Sequence, residues 1–294
     1  MERLDLASLR FFVSVAEEGN IAHTATREHI AASAISKRLQ ELEAELDTPL
    51  FRRHQKGVEL TPAGEALLIH ARNVFSVLNR MRDELGEYGR GTKGHVRVSA
   101  NTSSIVQFLP EMLNRFVSLY PGVKIQLHEE VSEVTVRMVR DGVVDLGLIA
   151  SFVPAEGLDL VPFRTDRVCV LVRNDHPLAS RESVWFEETF PYDQVGLEER
   201  SSLQLMIFNA AAERNHPLSL RVRVASFDAL RRLVQAGVGI GFLPEECIRP
   251  YEQSMGLKAV LLFDQWSHRN LSVCTRDKES LPVTARLLLQ ELLK

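Results

Sequence analysis

The stretch that decides the fold of the amino-terminal region is "EHIAASAISKRLQELEAEL", residues 28–46. An apolar seam at helical spacing is formed by Ile35, Leu39, Leu42 and Leu46. This seam predicts a helix over residues 32–46 that packs against a small core. The other face begins with small side chains and continues through Ser36, Lys37 and Arg38. A helix that enters a groove of DNA needs such a start, and a helix that merely packs tightly needs it too, so both interpretations stay open.

The segments on either side of this helix indicate the architecture of residues 1–61. Residues 6–18 carry an apolar face and stop at Gly19-Asn20, and residues 21–29 form a second, shorter helix. After Pro49, "LFRRHQKGVELTP" consists of two extended arms around a turn at residues 55–57, which is a hairpin signal. Three short helices followed by a basic-tipped hairpin predict a winged helix-turn-helix domain over residues 1–61.

A long helix is predicted next, over residues 62–90, because Thr61 can cap it and Pro62 suits its first position. Spacings of four and three alternate along a seam formed by Leu67, Ala71, Val74, Leu78, Met81, Leu85 and Tyr88. A seam this narrow on a long helix favours a coiled-coil partner and therefore dimerisation. The alternative is packing across the core of its own chain, although core-facing helices usually carry a wider stripe.

Beyond a glycine-rich hinge at residues 91–94, strands and helices alternate to the end of the chain. The predicted helices lie at 104–120, 132–141, 202–214, 227–236 and 282–293, with strands between them. Such alternation predicts two α/β lobes with largely parallel sheets over residues 95–294. We place lobe I at about 95–162 plus 268–294 and lobe II at about 163–267. The fold class is therefore mixed, with an α-rich amino-terminal domain and a two-lobed α/β domain.

The composition is that of an ordinary globular protein. At 294 residues the chain has room for two or three compact units, with 45% hydrophobic and 25% charged residues. No apolar run approaches the roughly 18 residues of a membrane span, and the amino terminus, with acidic residues among its apolar ones, is unlike a signal peptide. The three cysteines have no metal-binding spacing. We therefore expect a cytoplasmic protein with reduced thiols, no membrane partner, no metal and no cofactor.

Charge alone does not decide whether residues 1–61 bind nucleic acid, because they hold eight Lys and Arg against ten Asp and Glu. The acids cluster away from the predicted recognition helix and hairpin tip, which leaves a local positive face. In a winged helix-turn-helix, one helix enters the major groove of double-stranded DNA and the wing reaches phosphates or the minor groove. Candidate DNA contacts are Ser36, Lys37, Arg38, Arg52, Arg53 and Lys56. Arg53 suits phosphate positioning better than base reading.

Two turns in the α/β region are rich in hydroxyl groups: "SANTSSI" at 99–105 and "LEERSSL" at 197–203. Helix starts with Ser or Thr donors bind carboxylates well, which makes a small carboxylate a candidate ligand. The alternative is that these side chains only cap their helices. Acidic pairs at 129–130 and 198–199 stand nearby. If they line the same cleft, an amine or several hydroxyls on the ligand are favoured; otherwise they are solvated surface residues.

Three stretches carry a resemblance to a known family: "LRFFVSVAEEGNIAHTA", "ASAISKRLQELEAELDTPLFRR" and "LTPAGEALLIHAR". In order and spacing they resemble LysR-type transcriptional regulators, and the architecture fits essentially the whole chain. The resemblance implies a winged helix-turn-helix, a linker helix and a periplasmic-binding-protein-like effector domain. It also implies a dyad-like promoter site, a small-molecule effector, two-fold pairing and commonly a homotetramer, with RNA polymerase as a further candidate partner.

The resemblance implies that Ser33 is a further DNA contact. The sequence also departs from the usual family pattern in this region. The family usually has Ser-Gln where this chain has Ala31-Ala32, and Leu where it has Glu28. Ala32 cannot hydrogen-bond a base, so base reading must shift to Ser33, Ser36, Lys37 and the wing, or to DNA shape. The effector contacts implied are Thr102, Ser103, Ser104, Ser151, Phe152, Ser201, Ser202, Phe227 and Val238. For Phe227 and Val238, core packing is the alternative.

Two other classes of function fit the sequence less well. For an enzyme, the sequence lacks a Ser/His/Asp order, an HExxH, a P-loop and a paired-carboxylate motif, so we expect no catalytic residues. A transport-type binding protein shares the two-lobed form but does not account for residues 1–90. The sequence therefore predicts a DNA-binding transcriptional regulator that a small molecule in the carboxy-terminal cleft modulates.

Overall fold

The computed structural model describes residues 5–54, 57–90, 94–218 and 220–294; for residues 53, 76, 79, 80 and 82–90 it describes the backbone alone. The chain divides into two compact units, Met1–Leu85 with Asp141–Val143, and Gly86–Arg140 with Val144–Lys294. Within the described ranges, no helix combines the length and the apolar character needed to cross a membrane.

The first unit contains the predicted helices and hairpin. Its elements are α1 (Leu6–Glu18), α2 (Ile21–Glu28), α3 (Ala32–Glu45), β1 (Phe51–His54), β2 (Gly57–Leu60) and α4 (Pro62–Arg90). Asp5 caps α1 by accepting hydrogen bonds from the backbone N–H groups of Ala7 and Ser8, and Asn20 caps α2 in the same way. The winged helix-turn-helix arrangement predicted from the sequence is confirmed.

The hairpin is fixed to the turn between α1 and α2 through a glycine. The N–H of Val58 donates to the carbonyl of Gly19 at 2.9 Å. A Cβ on Gly57 would lie 2.2 Å from that same carbonyl oxygen, and Gly57 has a φ of +146° that other residues rarely adopt. The close approach therefore requires glycine, and it positions the wing relative to the helices.

The second unit continues the chain in two stretches. The first stretch contains β3 (Gly94–Ala100), α5 (Thr102–Gln107), α6 (Leu109–Leu119), β4 (Val123–Glu129), α7 (Ser132–Arg140), β5 (Leu146–Ala150) and β6 (Asp159–Arg173). The second stretch contains β7 (Ser183–Val184), β8 (Gln194–Leu197), α8 (Ser202–Ala212), β9 (Leu220–Val224), α9 (Phe227–Gln235), β10 (Gly241–Pro244), α10 (Glu252–Met255), β11 (Leu257–Leu262), β12 (His268–Thr275) and α11 (Val283–Leu292).

The predicted helix at 104–120 is two helices in the structure. α5 ends at Gln107, and α6 begins at Leu109 with Pro110 in its first turn. Proline has no N–H to bond backward and fits the start of a helix, so the chain breaks before it. The apolar periodicity continues across the break, which is why the sequence pattern did not reveal it.

The sheets are less parallel than expected. The larger sheet runs in the order β4-β3-β5-β12-β6-β11-β7, with β10 also paired to β6. β3 lies parallel to β4 and β5, and β8 lies parallel to β9, but β6 pairs antiparallel with β10, β11 and β12. The prediction of largely parallel sheets is therefore wrong around β6, because hydrophobic patterning gives the faces of a strand but not its direction.

β6 runs through both lobes. Its first part, Asp159–Arg167, pairs with β12, while Val168–Arg173 pairs with β10 and β11. We call the part with β3, β4, β5 and β12 lobe I, and the part with β8, β9, β10 and β11 lobe II. Lobe II has its own apolar core, in which Phe186, Leu230 and residues 168–172 are buried.

Candidate functional site

The start of α3 presents small, exposed side chains. The residues concerned are Ala31, Ala32, Ser33 and Ala34. Ala31 is the N-cap and supplies no side-chain hydrogen bond to the helix. On the opposite face, Ile35, Leu39 and Leu42 are buried in the core of the unit, as the seam predicted. The helix is therefore held by one face while its first turns stay open to a partner.

The two basic side chains on α3 have different surroundings. Lys37 is exposed and lies 3.8 Å from Glu41 one turn along the helix. Arg38 reaches Asp5 at 2.8 Å and stands over the ring of Phe11. Hydrogen bonds from Ala7 and Ser8, and then the charge of Arg38, hold the pKa of Asp5 below its ordinary value. Arg38 thus ties α3 to the start of α1, whereas Lys37 projects outward.

The hairpin carries the remaining predicted DNA contacts. Arg52 on β1 is exposed and lies opposite Glu59 on β2. The His54 imidazole lies 3.5 Å from the same carboxylate. The side chain of Arg53, and all of Lys56 at the tip, lie outside the described residues.

Part of the predicted dimerisation seam on α4 belongs to the core of the first unit. Ala71 is 1% exposed and Leu67 packs against that core, so Ala71 faces its own chain; its assignment to a dimer contact was wrong. Leu78 is half-buried, Val74 and Met81 are exposed, and the side chains of Leu85 and Tyr88 lie outside the described residues.

The sequence interpretation also missed an exposed apolar residue on α4. Val77 is 57% exposed, more than any of the described residues named for the seam. The apolar strip available on this helix is formed by Val74, Val77 and Met81. Spacings of three and four relate these residues, so they share one face of the helix.

A cleft between lobe I and lobe II lies at the carboxyl ends of the parallel strands. It has about 520 Å³ of empty space and is lined by turns that follow β3, β4, β8 and β9. Five of the predicted effector contacts line it: Thr102, Ser103, Ser201, Ser202 and Phe227. Ligands collect at this edge of parallel sheets, because helix starts and the turns before them meet there.

Hydrogen bonds link the two sides of this cleft. Asn101 caps α5 by accepting from the N–H of Ser104 at 2.9 Å, and its amide donates to the Ser132 hydroxyl at 3.4 Å. Ser132 in turn donates to Ser202 of lobe II at 3.5 Å. Sequence reasoning missed Asn101 and Ser132, although Asn before a helix and Ser at a helix start are recognised capping signals.

Helix capping does not account for all of the hydroxyl groups in the cleft. Asn101 performs that role for α5, and Ser201 occupies the N-cap of α8 without a side-chain hydrogen bond to the helix. Thr102 donates instead to the carboxylate of Glu129 at 2.7 Å. The alternative that these side chains merely cap their helices is therefore wrong for Thr102 and Ser201.

The charged residues of the cleft are of both signs. Glu130, Glu198 and Arg200 line it and are exposed. The remaining members of the two acidic pairs are engaged, Glu129 by Thr102 and Glu199 by Arg223 on β9. The cleft therefore offers two carboxylates, one guanidinium and several hydroxyls, a set that suits a ligand with both a negative and a hydrogen-donating group.

Four predicted effector contacts are not among the residues that line the cleft. Ser104 is fully buried beneath it, Ser151 is 2.7 Å from the hydroxyl of Ser272 on β12, and Phe152 is exposed elsewhere. Val238 lines a different pocket with Arg173 and His176. Val238 lies two residues before Ile240, and Ile240 forms a bridge with the first residue of β8. The cleft lies at the other end of β8, so Val238 is far from the cleft along this strand.

A buried ion pair lies where the lobes join. Arg269 on β12 is paired in register with Asp166 on β6, and its Nε donates to the carboxylate at 2.7 Å. The amide of Gln107, at the end of α5, donates to the same carboxylate at 2.8 Å. Both charged side chains are almost completely buried. The helix that starts in the cleft is thus bonded at its other end to the strands that connect the lobes.

The three cysteine thiols are buried and unpaired, and burial raises the pKa of each, Cys169, Cys247 and Cys274, to about 12. At pH 8 only about one thiol in 10⁴ is then ionised, and the thiolate is the reactive form. We expect no reaction of the native protein with Ellman's reagent at pH 8, and three equivalents after unfolding in guanidinium chloride. A native thiol that reacts at the rate of free cysteine would contradict this burial.

No group of three His, Cys, Asp or Glu side chains among the described residues is placed to hold a metal ion.

Comparisons with known proteins agree with this architecture. Two family models match the chain: "Bacterial regulatory helix-turn-helix protein, lysR family" over residues 6–65 and "LysR substrate binding domain" over residues 89–294. The "Transcriptional dual regulator GltC" of Bacillus subtilis is similar, with 28% identity over 264 residues that cover 89% of this chain and 88% of GltC.

Solved structures share the fold. Full-length OxyR from Pseudomonas aeruginosa superposes with a TM-score of 0.77 at 21% identity, covering 99% of this chain and 95% of OxyR. Full-length CbnR, solved in complex with its target DNA, gives 0.70 at 21% identity, covering 98% and 99% of the two chains. At these identities, the likeness to OxyR and CbnR shows the fold alone.

Proposed function

The chain belongs to the LysR family of bacterial transcriptional regulators, and from this premise we propose that α3 and the hairpin read a promoter site under the control of an effector in the interlobe cleft. The observation that carries the proposal is the pairing of a helix-turn-helix unit with a two-lobed unit whose cleft is crossed by the Ser132–Ser202 hydrogen bond.

On DNA, α3 lies in the major groove with Ser33, Ser36 and Lys37 toward the bases. The buried seam on the other face supports this orientation. Because Ala32 offers a methyl group and no hydrogen bond, base reading at that position is limited to apolar contact, for example with a thymine methyl group. Arg38 contributes charge near the helix while held by Asp5. Arg52, with Arg53 and Lys56, places the wing on phosphates.

The effector is a small carboxylate that also carries an amine or hydroxyl groups. The starts of α7, α8 and α9 surround the cleft and favour a negative group, which Arg200 and the serine hydroxyls can bond. Glu130 and Glu198 favour a donor on the same molecule. A ligand that bonds both lobes would replace the Ser132–Ser202 contact and shift the population of lobe arrangements.

The protein acts as an oligomer, with α4 as the contact between two protomers. The exposed strip of Val74, Val77 and Met81 supports this assignment, since an apolar strip on a helix is usually covered by a partner. A dimer fixes the spacing of two half-sites, and a tetramer follows the family pattern. Because its site is promoter DNA, the protein works in the cytoplasm, where RNA polymerase is a further partner.

Footprinting of the promoter region beside its own gene tests the proposal. Full-length protein is expected to protect a region longer than a single half-site, with an altered boundary when a cleft ligand is added. Small hydroxy- and amino-carboxylates are the probes, with Ser202→Ala as the variant that should lose their effect. Protection of a single half-site would contradict the proposal that an oligomer binds the promoter. No protection anywhere would contradict the proposal that α3 binds DNA.

Removal of one wing cation is expected to change the salt dependence of DNA binding. Arg52→Ala should weaken binding and reduce the slope of log K against log salt by about 0.9 for each phosphate that the wing no longer neutralises. Fluorescence anisotropy at several salt concentrations measures this slope. Arg10→Ala is the matched control, because Arg10 is paired with Glu28 on the α1–α2 side of the unit. An unchanged slope for Arg52→Ala would remove this residue from the interface.

A charge placed in the apolar strip of α4 is expected to separate the protomers. Val77→Asp puts a carboxylate into the proposed contact, where it would lose water without gaining a partner. We expect sedimentation velocity to show monomer for Val77→Asp at concentrations where the unmodified protein is oligomeric. Glu65→Ala, in the first turn of the same helix, should leave the oligomer intact. Oligomers of unchanged size for Val77→Asp would place the contact elsewhere.

A further inference from the structure

Two hydroxyl groups in the cleft, one on each lobe, have their protons directed by their neighbours. Thr102 is the first residue of α5 in lobe I, and Ser202 is the first residue of α8 in lobe II. Both residues line the cleft. A hydroxyl group has one proton and two lone pairs, so a neighbour that takes the proton leaves only acceptor sites for a ligand. The neighbours of each hydroxyl therefore decide which ligand group it can bond.

The proton of Thr102 is already used within lobe I. The Thr102 hydroxyl donates to the carboxylate of Glu129, at the end of β4, at 2.7 Å, a distance typical of a strong bond to a charged acceptor. A carboxylate has only acceptor atoms, so the bond can run in this direction alone. Toward the cleft, Thr102 therefore offers lone pairs and no proton. It suits a hydroxyl or ammonium group on the ligand and disfavours a carboxylate.

Ser132, the lobe I partner of Ser202, receives two hydrogen bonds from its own lobe. Because the Oδ1 of Asn101 accepts from the N–H of Ser104, the other end of this amide is the NH₂ group, and it donates to Ser132 at 3.4 Å. The backbone N–H of Ala150 donates to the same oxygen at 3.2 Å. These two bonds occupy both lone pairs of Ser132. Ser132 therefore cannot accept the proton of Ser202.

Ser202 consequently keeps its proton for a ligand. Its oxygen accepts from Ser132 at 3.5 Å, and its hydroxyl donates to none of the residues that the structure describes. Because Ser132 has no lone pair left, the proton stays available both when this contact is present and when a ligand replaces it. Arg200 and Ser201 line the same side of the cleft. Lobe II therefore presents donors, which suit a carboxylate.

We propose that the cleft binds a small hydroxy- or amino-carboxylate in one orientation, with the carboxylate at Ser202 and the hydroxyl or ammonium group at Thr102. Glu129 is a positioning residue: it is not among the residues that line the cleft, but it fixes the polarity of Thr102. The inference rests on the effector site proposed above and specifies how that site selects its ligand. A carboxylate without a donor leaves Thr102 unbonded, and the second acid group of a dicarboxylate faces its lone pairs.

Isothermal titration calorimetry on the full-length protein tests this polarity with three compounds of similar size. L-Lactate carries a carboxylate and a hydroxyl, propionate lacks the hydroxyl, and malonate has a second carboxylate in its place. We expect L-lactate to bind at least about fivefold more tightly than either of the others. Equal or tighter binding of propionate or malonate would overturn the polarity. No binding of any of the three up to about 10 mM would contradict the effector class, and the inference with it.

Variants of the two hydroxyl residues locate the two ends of the ligand. Thr102→Val removes the acceptor and keeps the shape of the side chain, so L-lactate should then bind only as tightly as propionate, whose own affinity should not change. Equal weakening of both compounds would mean a merely structural Thr102 and would overturn the polarity. Ser202→Ala should weaken both about fivefold or more. If both bind and Ser202→Ala changes neither affinity, they bind outside the cleft, which contradicts the effector site itself.

Glu129→Gln tests the positioning role. The new amide has a donor as well as an acceptor, so it can donate to Thr102 and release the threonine proton toward the ligand. We expect the preference for L-lactate over malonate to fall about fivefold or more. Glu133→Gln is the matched control, because it removes the same charge from an exposed position in the first turn of α7. An unchanged preference in Glu129→Gln, or an equal fall in Glu133→Gln, would show that Glu129 does not fix the polarity.

Discussion

Arg269→Met is expected to lower the free energy of unfolding of the second unit by about 4 kcal/mol. The substitution keeps most of the side-chain volume but leaves the carboxylate of Asp166 buried, with the amide of Gln107 as its remaining described partner. An uncompensated buried charge is far more costly than the loss of an exposed pair, because water cannot reach it. Urea denaturation followed by tryptophan fluorescence measures the change, since both tryptophans, Trp185 and Trp266, lie in this unit.

Two further variants distinguish the cost of leaving a buried charge unpaired from the cost of losing an ion pair at the surface. The double variant Asp166→Leu with Arg269→Met removes both charges and should return to within about 1 kcal/mol of the unmodified protein. Arg181→Met breaks the exposed pair with Glu188 and should cost less than about 1 kcal/mol. Equal costs for Arg269→Met and Arg181→Met would show that water reaches the Asp166 site.

Leu39→Ala is expected to destabilise the first unit by about 3 kcal/mol and to abolish DNA binding. Leu39 is 2% exposed at the centre of the α3 seam, where its side chain is buried in one core cluster with Phe12, Ile35 and Leu42. Truncation removes buried apolar surface and leaves a cavity, and a unit of this size has little stability to spare. Without that seam, α3 no longer holds its exposed face in position.

The unfolding of the first unit can be followed separately from that of the second, because the second unit alone contains tryptophan. Circular dichroism should show an early transition in urea for Leu39→Ala, while tryptophan fluorescence keeps its midpoint, because the tryptophans are in the second unit. Gln40→Ala changes an exposed neighbour on the same helix and should alter neither transition. If the fluorescence midpoint of Leu39→Ala falls together with the circular dichroism signal, the two units do not unfold independently.

Local sequence determined the elements of the first unit and the two turns that open the cleft. The seam of Ile35, Leu39 and Leu42 predicted the buried face of α3, because a period of 3.6 residues places those positions together whatever lies opposite. The hydroxyl-rich turns containing Thr102 and Ser202 were located in the same way, since they follow strands and begin helices. Such signals lie within a few residues of one another in the chain.

Tertiary structure alone decided which partner each face meets. The spacing of Ala71 is correct for a coiled-coil seam, yet this residue completes the core of its own unit, while Val77 is exposed beside it. Phe227 begins α9 and Val238 follows its end, but the two residues lie at opposite ends of the lobe II strands. The antiparallel pairing around β6 and the burial of Asp166 against Arg269 join residues about a hundred positions apart. Periodicity records that a side chain is buried or exposed, whereas its partner depends on how distant segments pack, and no local pattern encodes that.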